Sequence, residues 1–141
     1  MKTKDMVYNG LGFPVLLKDV EVYVSRGEEL PKINHNKLNS AVFEYLLTSC
    51  FRLTGNQLNF VRGHMGLSQV EFARRLGFDS HATISGWVRK GNNASGMNPQ
   101  TELAVRMLMA HFINKFEVVN ENVPLLLSEI EECRPEISIA A

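Results

Sequence analysis

"GLSQVEFARRLGF", residues 66–78, decides how the fold is read. Ser68, followed three residues later by Glu71, is the pattern of a capping box, so a helix is expected from about residue 68 to 76. Gly77 ends it, because glycine takes the left-handed backbone of a helix C-terminus without a steric penalty. Val70, Phe72, Ala73 and Leu76 make its apolar positions, and Arg74 and Arg75 come directly after the small Ala73. A solvated amphipathic helix explains the arginines. It does not explain the alanine.

The next dozen residues supply the reason. Asp79 or Ser80 can cap another helix, from about Ser80 to Lys90, with Ile84, Trp87 and Val88 inward at i, i+3 and i+4. A helix ending at Leu76-Gly77, a turn of about three residues and a second helix make a helix-turn-helix. Ala73 is then small because the two helices cross on it, and Arg74 and Arg75 face solvent or phosphate. Upstream, Thr54 with Gln57 is a second capping box, opening a helix of roughly 55–65 with Leu58, Val61 and Met65 inward. Downstream of "KGNNASGMNP", residues 90–99, the pair Asn98-Pro99 starts a further helix as cap and first residue, with a stripe of Leu103, Met107 and Ala110.

Before this unit, "FPVLL" (13–17) and "VEVYVS" (20–25) are β-prone, and Lys18-Asp19 is expected to turn between them as a hairpin. "RGEELPKINHN" (26–36) breaks regular structure at Gly27 and Pro31. An amphipathic helix is expected next, from about Asn36 to Cys50, with Leu38, Val42, Tyr45, Leu46 and Ser49 on one side and Phe43 and Leu47 adjacent. After the central unit, a helix behind Pro124 carries Val123, Leu126, Leu127, Ile130 and Cys133 on a face opposite three glutamates, and "RPEISIAA" (134–141) is expected to fray. The fold class expected is mainly α, divided into a hairpin-plus-helix unit (1–53), a helix-turn-helix domain (54–112) and an acidic helix with its tail (113–141).

Composition narrows the function. The chain has 141 residues, 45% hydrophobic and 21% charged, enough for one compact domain or two very small ones. No apolar run approaches the ~20 residues of a membrane span. "MKTKDMVYNG" has no apolar signal-peptide core, which makes the cytoplasm the expected location. Cys50 and Cys133 form no CxxC pair, which argues against a zinc ribbon or a disulfide framework, and both sit on apolar helix faces as inert thiols. His35, His64, His81 and His111 have no metal-spaced partners, and no GxSxG, P-loop or HExxH occurs. No enzyme, cofactor or metal is expected. The net charge is zero, but its distribution is uneven: +1 over residues 1–54, +3 over 55–95 and −4 over 96–141. The basic segment holds the helix pair.

Over residues 55–109 the order of Arg62, Gly66-Leu67-Ser68-Gln69, Phe72-Ala73, Leu76-Gly77, Ile84-Ser85, Trp87 and Gly91 resembles the Xre family, the helix-turn-helix group of the phage Cro and cI repressors. The resemblance implies a five-helix domain in which Gln69 holds a phosphate and braces the recognition helix. It matches Arg62 to an arginine that usually pairs with a glutamate after the tryptophan; Val88 stands at that place here. The turn near Asp79 and the loop to Gly91 are each one residue longer than the family pattern. The wider layout, a β-hairpin, "EELP", a helix, "LTGNQLNFVR" and then this unit, resembles the MqsA-type antitoxins over residues 8–109, without the two CxxC zinc pairs of that branch.

With the second helix of the motif in the major groove, the outward residues are Ser80, His81, Ala82, Ser85 and Gly86, with Thr83 beside them. His81 can bond guanine N7 or O6, the serines bases or phosphate, and Ala82 a thymine methyl. Gln69, Arg74, Arg89 and Lys90 are the expected phosphate contacts. The plainer alternatives are a surface histidine at a helix start and a solvated basic face. Asn92, Asn93, Ser95 and Asn98 either touch phosphate or form an ordinary polar loop. One module binds weakly, so a homodimer on double-stranded DNA is expected, through Met107, Leu108, Phe112, Leu126 and Ile130 unless these complete the monomer core. The first function expected is a repressor reading a palindromic operator. The second is an antitoxin that neutralises a toxin protein and autoregulates its operon, and the third an interaction module that has lost DNA binding.

Overall fold

The strand β2 (Val15–Ser25) runs straight through Lys18-Asp19, where a turn is expected. Asp19 takes a left-handed φ of 52° inside the strand, which aspartate tolerates better than most residues, and its N–H donates to Asp5 Oδ1 at 3.0 Å. Opposite it, the pairing with β1 (Thr3–Tyr8) slips by one residue between Lys4 and Met6. The Lys18-Asp19 pair is therefore a bulge and not a hairpin turn. The tight turn falls at Arg26-Gly27, both with positive φ (52° and 82°), as a two-residue hairpin turn requires. It leads into β3 (Glu28–Pro31), paired with β2 from Ser25↔Glu28 to Val22↔Pro31. Residues 28–31, expected to be irregular, are thus a strand.

The computed structural model describes residues 2–49, 51–114 and 137–140. These residues contain five helices and a four-stranded sheet, so the class is mixed α/β where mainly α was expected. The fourth strand, β4 (Ser138–Ala140), pairs in parallel with Leu16–Lys18 of β2. Ile137 just before it is 1% exposed and its carbonyl accepts from Leu16 N–H at 2.9 Å. The expectation of a frayed end is corrected for these residues: "ISIA" alternates apolar and small side chains, a strand pattern. The expected helix behind Pro124, and both cysteines, lie outside the described residues.

α1 (His35–Thr48) is capped by Asn34, whose side chain accepts from Lys37 N–H, and it buries Leu38, Val42, Phe43, Leu46 and Leu47. Val20, beside the bulge, joins Leu17 and Val15 as the sheet side of the core. α2 (Gly55–His64) has the full Thr54/Gln57 capping box. α3 (Gln69–Arg75) is capped by Ser68 alone; the Ser68 hydroxyl donates to the Glu71 carboxylate, so the return bond to the backbone is not made. α4 (Ala82–Val88) and α5 (Pro99–Ile113) complete the helices, the latter with Asn98 as cap and Pro99 at its first position. One hydrophobic core runs from the sheet through all five helices.

The stripe expected on α5 is corrected. Its buried face is Glu102, Val105, Arg106, Met109 and Ala110, while Leu103 is half-buried and Met107 is 51% exposed. The reason is ionic. Arg106 is wholly buried, and its Nη1 donates to the carbonyls of Leu46 and Leu47 and to Ser49 Oγ, its Nη2 to the Phe51 carbonyl at 2.7 Å. It thereby supplies the donors that the C-terminus of α1 lacks. Glu102 lies 3.7 Å from that guanidinium, binds Arg52 and accepts from Leu53 N–H at 2.5 Å. Burial pulls the Arg106 guanidinium down to about 10, opposed by the Glu102 charge, so it stays cationic at neutral pH. This network crosses the boundary expected at residues 53/54 and fastens the hairpin-plus-helix unit to α5.

Candidate nucleic-acid interface

α3 ends in a Schellman motif: Phe78 N–H donates to Ala73 O at 2.9 Å and Gly77 N–H to Arg74 O at 3.1 Å, with Gly77 at φ 86°. Ala73 is 2% exposed and Phe72 is fully buried, while Arg74 and Arg75 beside them are exposed. The motif aims Phe78 back at α4, where its ring meets Trp87 edge-on, centroids 5.4 Å apart at 81°. Ile84 is fully buried, and Trp87, expected in the core, is only half-buried against it. Val70, expected on the apolar side, is 49% exposed.

α4 is shorter than expected, seven residues in place of Ser80 to Lys90. Ser80 and His81 precede it: the Ser80 hydroxyl accepts from Ala82 N–H at 3.1 Å, and His81 holds the cap position with no side-chain cap bond. Extra turn residues, legible in "GFDSH", delay the start. Arg89 and Lys90 come after its last turn. Ala82, Ser85, Gly86 and Arg89 recur at i, i+3, i+4 and i+7 along one side, with Ala82 and Arg89 exposed and Ser85 and Gly86 half-buried. Thr83 is also half-buried. The nearest atom to a Cβ placed on Gly86 would be an Arg89 guanidinium nitrogen at 3.9 Å, so that arginine reaches back along the helix.

A cleft of about 380 Å³ brings Arg74, Ser80 and His81 together with Asp79 at the α3 end of the pair. Arg89 and Lys90 stand at the other end, about 10 Å along the helix. Gln69 is half-buried at the first position of α3. The site residues therefore stand at both ends of α4: Arg74 and His81 beside the Asp79 carboxylate at the first, and Arg89 with Lys90 at the second. The loop after α4 is committed elsewhere: Asn92 Oδ1 accepts from Asn56, Ser95 is buried, and Asn98 caps α5. Burial corrects the phosphate alternative for Ser95 alone; Asn92 and Asn98 are exposed and use only their side-chain oxygens in these bonds. Asn93 is exposed, with its carbonyl accepting from Gly55 N–H at 3.2 Å.

Gly55 sets the pose of α4 and escapes the sequence reading, whereas Arg62, marked there, takes other partners than the resemblance implies. A Cβ on Gly55 would stand 2.5 Å from the Trp87 carbonyl oxygen and 2.7 Å from that of Val88, so the start of α2 packs directly on the backbone ending α4. Only the gap between "LT" and "NQ" in the capping box hints at it. Arg62, with no glutamate after Trp87 to meet, donates to Leu67 O at 2.7 Å and Asn59 Oδ1 at 2.8 Å, bracing the entry to α3, and leaves its buried Nε unpaired.

Among the described residues no three His, Cys, Asp or Glu side chains converge as a metal site, and no helix is long and apolar enough to cross a membrane. Compared with protein-family models, with curated proteins and with solved structures, the chain has no match in any of the three.

Proposed function

We propose that the chain is a sequence-specific DNA-binding regulator, a dimeric repressor in which α3, the turn and α4 act as a helix-turn-helix of the Xre kind, working in the cytoplasm. One observation carries this reading: Ala73 is buried on α3, and Ala82, Ser85 and Gly86 make a row of small residues on α4 between Arg74 with His81 at one end and Arg89 with Lys90 at the other. Small residues let a helix approach base edges closely, and arginines and lysine at its ends suit the phosphates on either side of a groove about 12 Å wide. Seven helical residues span about 10 Å, roughly three base-pair steps, too few for an operator, which is why a second copy is part of the proposal. Footprinting on the DNA upstream of the gene tests it. Protection of two half-sites about one helical turn apart is the expected result, and uniform cleavage at protein excess is the contrary one.

Antitoxin action is the second reading. It is favoured by Val7, Tyr23 and Val24, large apolar side chains between 51% and 70% exposed on the N-terminal sheet, where a protein partner would gain most by covering them. A partner protein retained by wild type and lost on Tyr23→Ser/Val24→Ser, with footprinting unchanged, is its expected outcome.

A further inference from the structure

The sheet and α1 part slightly at the N-terminal end of the helix. The gap is a cavity of about 190 Å³, open on one side. Its walls are apolar: Leu17 and Val20 of β2, Ile139 of β4, and Leu38 and Ala41 of α1. Ile33, Asn34 and two lysines, Lys32 and Lys37, complete the lining, and among the described residues no carboxylate belongs to it. Lys32 Nζ lies 3.8 Å from Glu21, a loose and exposed pair that leaves donors for another anion. Lys37 stands in the first turn of α1, where a negative charge is also favoured by the helix.

We propose that this cavity binds a small apolar monocarboxylate, the tail between β2, β4 and α1 and the carboxylate at Lys32 and Lys37. Size and charge choose the ligand together. An apolar cavity of about 150 Å³ accepts benzene, so about 190 Å³ suits a ring or short branched chain with one added functional group. Among the described residues the formal charges on the lining are those of Lys32 and Lys37, which an anionic group complements. An alkyl tail much longer than eight carbons has no room. The inference concerns a different face from α4 and stands whether or not the chain binds DNA.

Phenylacetate is the probe, titrated into the full chain while amide and methyl NMR shifts are followed, with 2-phenylethanol and acetate as controls. Saturable shifts at Leu17, Ala41 and Ile139 are expected with phenylacetate, and weaker binding, by roughly five-fold or more, with the uncharged alcohol. Lys32→Gln/Lys37→Gln should weaken phenylacetate by a similar factor and leave the alcohol unchanged. Ala41→Leu should fill the gap and abolish binding while the thermal melt stays cooperative. Should Ala41→Leu fail to fold, the lysine pair still decides. Absence of saturable shifts, equal binding of acid and alcohol, or indifference to the lysine substitutions would each overturn the proposal.

Discussion

Gly55 and Arg106 show how single residues hold distant parts of this chain in place. At Gly55 the obstacle to a side chain is backbone, the carbonyls that close α4, and backbone cannot rotate aside. Gly55→Ala is therefore expected to cost about 1–3 kcal/mol, the usual range for overpacking, and to lower the melting temperature by several degrees. An unchanged melt would mean that α2 and α4 are not packed this closely. Arg106 is a donor set that α1 cannot supply for itself, balanced by the Glu102 carboxylate. Arg106→Ala leaves a buried carboxylate and bare carbonyls, an expected loss of about 3–5 kcal/mol in denaturant unfolding.

Among the elements, α3 was the most legible and α4 the least. Ser68 and Gly77 mark both ends of α3 in plain sequence, as Thr54 and Asn98 mark the starts of α2 and α5. The mark of α4, Asp79 or Ser80, is displaced: the cap position is His81, and the Ser80 hydroxyl that accepts from Ala82 N–H stands one residue too early for the usual geometry. The sheet was half legible. Its alternating runs are visible, but Lys18-Asp19 has the chemistry of a turn and is used as a bulge, and only the partner strand's register tells the two apart. On α5 the apolar stripe holds at Ala110 and fails at Met107, because the face turned inward is the one that carries Glu102 and Arg106. Of the candidate site, the arginines and His81 were found where they are exposed, while the packing that orients them was not. A test at this scale contrasts Ala73→Leu with Arg74→Gln/Arg75→Gln. The first should cost about 1–3 kcal/mol by wedging α3 from α4; the second should lie within about 0.5 kcal/mol of wild type in the same unfolding experiment. Equal effects would contradict the assignment of Ala73 to the crossing.

For the molecule as a whole, stability should depend on pH in two separate windows. His64 stacks between Phe43 and Phe60, centroids 4.6 and 5.7 Å away, with Phe112 at 6.0 Å. Burial there lowers its pKa below the ordinary 6.5, so the folded chain takes up its proton later than the unfolded chain does. The His64 contribution is complete above about 6.5 and is lost as pH falls from there through the folded value. Lys2 and Lys4 hold Glu29 down to about 2 from 4.5, so its contribution is present above 4.5 and disappears as pH falls through about 2. Melting temperatures between pH 8 and 5 should fall for wild type and stay nearly flat for His64→Leu; parallel curves would contradict the first window. The central claim is that the two ends of α4 grip DNA, and the most direct test is a mobility shift with the duplex upstream of the gene against a random duplex, across a salt series. Wild type should prefer the upstream duplex and lose affinity as salt rises, and Gln69→Ala/His81→Ala should lose that preference while melting as wild type does. Equal binding of both duplexes by wild type, or a preference untouched by the double substitution, would contradict the claim.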